Sequence, residues 1–207
     1  MGVLVKALGY YSHKGGNGVK AVARLKEHLK YLEHGKEHPN QPIGFSSDRD
    51  VVIRQEFLRK VELQPQRGVI AHKLVFSLSQ DERDRLGIDL RQLVRSVMDD
   101  WSSRLGRPLN WIAFEHQDNG HPHVHVVVGG HAGDKQVGIY ERDLTALRGA
   151  TEREKERQAL RERTLPRGRE EPELGPEVAK IARELGHLLT HGRGPEFLRP
   201  RDVGRGR

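Results

Sequence analysis

Cysteine is absent from the 207 residues of this chain. No disulfide framework and no thiolate metal site can form, so any metal ion must be held by His, Asp or Glu. The absence suits a reducing compartment, and a cytoplasmic location is the expectation. Long apolar runs are missing too. No stretch approaches the ~18–20 apolar residues of a membrane span, and the run within residues 1–6 is too short for a signal peptide. A soluble chain without membrane insertion is expected. There is no internal repeat. Hydrophobic residues make up only 35% of the chain against 31% charged, which predicts a compact core carrying solvated, charge-rich helices. The length allows one sizeable core and a helical appendage rather than two full domains.

Positive charge is plentiful. Lys and Arg number 36 against 29 Asp and Glu, a formal charge of +7 with a sequence pI near 9.8. This balance favours a polyanionic partner, nucleic acid first and an acidic membrane surface second. A basic protein without such a partner carries the same charge, since net charge speaks to association and not to fold.

Hydrophobic periodicity predicts the elements. Residues 3–11 read as a strand, Gly15 to Gly18 as a flexible loop, and Val19–His34 as a helix closed by Gly35. A loop over 36–50 leads to a partly helical segment over 51–63. His72–Ser79 alternates as a strand. Asp81–Leu105 reads as one long amphipathic helix with Leu86, Leu90, Leu93, Val97, Met98 and Trp101 on one face. Leu109–Gln117 and Pro122–Gly129 are two further strands. Residues 141–171 are dominated by Arg and Glu and read as exposed helices. A last helix near 176–191 runs into a Gly/Arg/Pro tail. The expected fold is α+β, a central antiparallel sheet with helices packed on it. Residues 1–140 form the core and residues 141–207 a charged helical extension.

The informative stretch is Asn110–Val128. Asn119-Gly120 between two β-rich runs is a strong hairpin signal, because a type I′ turn needs positive φ at both central residues. With the turn there, Asp118 faces His121, His116 faces His123 and Phe114 faces His125. Side chains alternate along a strand, so these partners project from one side of the sheet. Opposed Cβ atoms lie about 4.5–5.5 Å apart and the next residue on the same face about 7 Å along. Three imidazoles can therefore converge on one ion at ~2.0–2.2 Å, leaving coordination positions open. Asp118 stands beside them as an acceptor that would fix an imidazole tautomer. A lone histidine on a strand is usually a packed or exposed residue. His116, His123 and His125 instead share one face across a hairpin amid apolar neighbours, where clustered imidazoles make poor core material without a ligand. His13, His28, His34, His38, His72, His131, His187 and His191 lack such support and read as surface or packing residues. Three histidines alone suit a hydrolase with metal-bound water as well as an ion that polarises a phosphate.

In the helix 19–34, Val22, Leu25, Leu29 and Leu32 form the apolar stripe. Tyr31 lies about 140° from the centre of that stripe, beside Lys20, Arg24, Glu27 and His28. It projects from a largely basic face that could receive a phosphate. Taken alone it reads better as an amphipathic surface tyrosine, with Tyr10, Tyr11 and Tyr140 as competitors for any nucleophilic role.

Three segments together resemble the plasmid mobilisation relaxases of the HUH endonuclease superfamily, the P-type and border-cleaving branch. Leu29-Lys30-Tyr31-Leu32-Glu33-His34-Gly35 is similar to the family's tyrosine motif. His72–Ser79 is similar to the strand and Ser-rich turn before the long helix. His116-Gln117-Asp118 with His121-Pro122-His123-Val124-His125 is similar to its H-x-D…H-x-H metal motif. Gly129-Gly130 departs from the pattern, standing where the family often places Asn. The resemblance covers roughly residues 1–140. It implies Tyr31 as a single nucleophile, His116, His123 and His125 as ligands of a divalent ion (Mg²⁺ or Mn²⁺, with Zn²⁺ as the alternative), and Asp118 as a catalytic residue supporting a ligand. It gives no role to His121. The implied activity is strand-specific nicking and rejoining of single-stranded or extruded DNA at a plasmid transfer origin, through a 5′-phosphotyrosyl intermediate in a bacterial cytoplasm. Accessory mobilisation proteins and a secretion coupling protein are the implied partners. A rolling-circle replication initiator, a single-strand transposase, a water-activating metallohydrolase and a non-catalytic DNA-binding protein with a structural metal site are the alternatives.

Overall fold

The computed structural model describes residues 4–13, 18–34, 44–118 and 121–164. For Asp118 it describes the backbone alone. The turn residues Asn119-Gly120, the cap Gly35 and the helix and tail expected beyond residue 171 lie outside the described residues.

The elements run β1 (Leu4–Ser12), α1 (Gly18–His34), α2 (Arg54–Glu62), β2 (Val69–Ser77), α3 (Gln80–Leu86), α4 (Leu90–Leu105), β3 (Trp111–Asp118), β4 (His121–Gly129), β5 (His131–Ala132), β6 (Lys135–Gln136) and α5 (Glu141–Thr164). Four strands form an antiparallel sheet in the order β1-β2-β4-β3. The fold is α+β as expected. Of the histidine hairpin, β4 is interior and β3 lies at the end of the strand order, joined beyond it, among the described residues, by an isolated bridge from Phe45 to Ala113. The short β5–β6 pair was not anticipated.

Alternation along the strands gives the sheet two apolar faces. One face presents Leu74, Phe76, Val124, Val126 and Val128 to Val94, Val97, Met98 and Trp101 of α4 and to Leu147 and Ala150 of α5. The other presents Ala71, Ile112, Phe114 and Val127 to Leu25, Leu29 and Leu32 of α1 and to Phe57, Leu58 and Val61 of α2. Burying each such side chain contributes roughly 1.5–3 kcal/mol. The second apolar patch stops short of the hairpin end of β3 and β4, and there the histidines stand.

Two corrections to the sequence reading follow. The helix expected over Asp81–Leu105 is two. Ser79 caps α3 by accepting from Glu82 N at 3.3 Å. Gly87 then turns left-handed at φ 63° and ends it. Asp89 begins α4 by accepting from Arg91 N and Gln92 N at 2.9 and 3.0 Å.

The expectation of exposed charged helices after residue 140 also fails for α5. One compact body extends to residue 165, past the boundary placed at 140. Leu147 is fully buried, and a polar seam docks the rest. Lys155 Nζ donates to Glu82 Oε1 at 2.8 Å, Ser96 Oγ to Glu154 Oε2 at 3.0 Å, and Asp89 N to Gln158 Oε1 at 2.9 Å. Arg148 Nε reaches the Val5 carbonyl on β1 at 3.2 Å.

Candidate active site

The hairpin register is the expected one: His116 opposes His123, Phe114 opposes His125 and Asp118 opposes His121. On the neighbouring strand His123 pairs with Ser77 and His125 with Val75. All three imidazoles therefore stand on the α1 side of the sheet. Their ring centroids lie 5.0–5.5 Å apart. One nitrogen from each falls within 4.8 Å of the others, and all three residues are half-buried.

Two hydrogen bonds fix which nitrogens are available. A carbonyl oxygen only accepts, so a ring nitrogen bonded to one must carry the proton. His116 Nε2 donates to the Leu32 carbonyl at 2.9 Å, which leaves Nδ1 with its lone pair. His123 Nδ1 donates to the His121 carbonyl at 2.9 Å, which leaves Nε2. Neutral imidazoles held in a set tautomer by outer hydrogen bonds are the donor chemistry that a divalent cation requires. The residues present fit such an ion. Backbone carbonyls thus serve His116 and His123 in the way the sequence suggested for Asp118. The Asp118 side chain lies outside the described residues. The role of Leu32 carries no residue-type signal, because it acts through its main chain.

Leu32 belongs to the last turn of α1. The final four carbonyls of a helix have no partner within it and concentrate partial negative charge. His116 satisfies one of them and brings the negative end of α1 to the histidines, where it favours a cation. Beside it, the Glu33 carboxylate is ion-paired with Arg54, the first residue of α2. The end of α1 is therefore held both to β3 and to α2.

Tyr31 immediately precedes Leu32 and is 58% exposed. The other three tyrosines lie on β1 and just before α5. Tyr10 pairs with His72, whose side chain points to the opposite face from that of Lys73, Val75 and the histidines. Tyr11 shares the histidine face but pairs with Ala71, four residues along β2 from the partner of His125. Its ring lies 6.1 Å from His28 and 5.1 Å from Lys73 Nζ. Burial raises its pKa, with Arg24 partly opposing, which disfavours the phenolate. Burial and then Lys73 hold His28 below the ordinary imidazole value. Tyr140 precedes α5, close to Gly138. His72, read from sequence as a surface or packing residue, is buried and donates through Nε2 to the Val137 carbonyl at 2.8 Å.

No curated protein matches this chain significantly. Among solved structures it is similar to the MobM relaxase domain bound to plasmid pMV158 oriT DNA, a manganese-bound crystal structure at pH 6.5. The identity is 16% and the TM-score 0.47, covering 90% of this chain and 99% of that one. The family model of the relaxase nuclease domain, MobA/VirD2-like, matches residues 31–159. That span is more than half of the chain and joins Tyr31, the histidine hairpin and most of α5, so this chain belongs to the MobA/VirD2-like relaxases.

Proposed function

We propose that this chain nicks one DNA strand at a plasmid transfer origin, with Tyr31 as nucleophile and His116, His123 and His125 as ligands of a divalent cation. The observation that carries the reading is the hydrogen bond from His116 to Leu32. It ties the helix turn bearing an exposed tyrosine directly to the three-imidazole cluster. A divalent ion bound there would offset the charge on a non-bridging oxygen of the scissile phosphate.

The chain's own residues do the rest. The Tyr31 hydroxyl gives up its proton as its oxygen forms an O–P bond in line with the leaving group. The P–O3′ bond breaks, and one proton is returned at the departing 3′ oxygen, so the proton count balances. The product is a 5′-phosphotyrosyl ester and a free 3′-OH. The ester conserves bond energy, so the reverse attack rejoins the ends. Glu33 and Arg54 hold the turn, so that Tyr31 meets the phosphate already oriented. Asp118, beside His116 on β3, supports a ligand. Lys6 and Lys73 on the same sheet face, with Lys20 and Arg24 on α1, supply phosphate contacts that make affinity fall with salt. Single-stranded or extruded DNA is the substrate in this reading.

The test is incubation with a labelled single strand carrying the transfer origin, with Mn²⁺ or Mg²⁺. A covalent protein–DNA adduct that disappears in Tyr31→Phe supports the reading. Nicking without an adduct would replace it with a water-activating metallohydrolase.

A further inference from the structure

On the opposite face of the sheet from the histidines, a cavity of about 410 Å³ opens at the β1 edge. Its walls come from Tyr10 on β1, His72 on β2, Gln136 on β6 and Tyr140 just before α5. Tyr10 and His72 are cross-strand partners with their rings edge-on at 6.1 Å. Both tyrosines leave more than half of their surface open, 56% and 61%. Gly138 makes room for the second of them, because a Cβ there would come within 2.6 Å of the Tyr140 ring.

The chemistry of this lining is selective. Among the described residues no Asp, Glu, Lys or Arg lines the cavity, so the described lining offers no formal charge to a phosphate or a free cation. It offers π faces, the Gln136 carboxamide and one imidazole. Because His72 Nε2 donates to Val137, Nδ1 is the ring's acceptor. Burial, more than the opposing Val137 bond, lowers the His72 pKa, which keeps that acceptor unprotonated near neutral pH. At the rim the Arg142 guanidinium lies 5.2 Å from the Tyr140 ring centroid, where a cation stacked on the ring can also meet a phosphate. Planar rings with polar edges, joined by an anionic backbone, match the two tyrosine faces, the Gln136 and His72 polar atoms and the nearby Arg142.

We propose that the cavity is a nucleobase pocket. It takes one base of the bound single strand against Tyr10 or Tyr140, with a ring or exocyclic N–H of the base donating to His72 Nδ1. The strand reaches it from the histidine face by crossing β1, an edge strand two positions from β4 and so roughly 10 Å away. This proposal rests on the reading of the chain as a DNA-binding enzyme. It adds a recognition site remote from the bond that is cut.

The test is fluorescence anisotropy of the full chain with a labelled mixed-sequence single strand and with an abasic strand of equal length. Replacing both tyrosines, Tyr10→Ala with Tyr140→Ala, should weaken binding to the base-bearing strand by roughly 5- to 150-fold, the loss of one stacked base. Affinity for the abasic strand should not change. The slope of log affinity against log salt should not change either, since no charged side chain is removed. Tyr10→Phe with Tyr140→Phe should retain wild-type affinity. Wild-type affinity of the alanine variant for the base-bearing strand would overturn the pocket, as would equal losses on both strands. If the wild-type chain binds neither strand, the DNA reading itself fails and the pocket with it.

Discussion

His116 on β3 donates its Nε2 proton to the Leu32 carbonyl in the last turn of α1, at 2.9 Å. The bond does two things at once. It leaves the lone pair on Nδ1, and it ties down the turn that carries Tyr31. His116→Gln places an amide N–H near the position of Nε2, so it keeps a donor for Leu32 and removes an imidazole ligand. Isothermal titration should then show Mn²⁺ affinity reduced beyond the ~10–100-fold typical of losing an outer-shell partner, with the thermal unfolding of the metal-free chain little changed. Unaltered Mn²⁺ affinity would remove His116 from the ligand set.

Glu33 and Arg54 make the second attachment of the same turn. Arg54→Ala leaves every proposed ligand in place but frees the end of α1. Covalent adduct formation should slow by roughly 10-fold or more, as expected when a reacting group loses its orientation. Mn²⁺ affinity should stay the same. A fall in both together would make the pair a general prop of the fold.

The α5 helix belongs to the core. Leu147→Ala should cost about 2–5 kcal/mol in urea unfolding, since the side chain is fully buried. A chain ending at residue 140 strips Leu147 and Ala150 from the apolar cluster and should not fold cooperatively. A chain ending at residue 164 should fold. Cooperative unfolding of the shorter chain would restore the boundary at 140.

His72, His28 and His131 all have pKa values lowered chiefly by burial. Between their unfolded value of ~6.5 and their lower folded values, the unfolded chain binds more protons. Stability should therefore hold above about pH 6.5 and decline as the pH falls below it. Urea midpoints of the metal-free chain at a series of pH values would show the decline, and His72→Gln should make it shallower. A midpoint that rises on acidification through this window would contradict the burial of these rings.

The histidine hairpin was readable from sequence because an Asn-Gly turn sets register and a period of two sets the face. Both rules are local, and Phe114, His116, His123 and His125 obey them. The break at Gly87 was hidden because Leu86 and Leu90 stand four apart and continue the apolar stripe across it. The signals were present in Gly87 and Asp89, but the periodicity outweighed them. Helix α5 was misread for a different reason. Its buried face contains Thr151, Glu154, Lys155 and Gln158, whose polar ends find partners on α3, on α4, within α5 and in the loop between α3 and α4. Hydropathy cannot see a face buried by pairing. The contribution of Leu32 was illegible in principle, since any residue type supplies a carbonyl.

The most direct measurement is mass spectrometric mapping of the protein–DNA adduct after nuclease and trypsin digestion. The account predicts residual nucleotide on Tyr31, in the peptide running from Tyr31 to Lys36. Nucleotide on the peptide from Ala7 to Lys14, which holds Tyr10 and Tyr11, or on that from Gln136 to Arg142, which holds Tyr140, would contradict it.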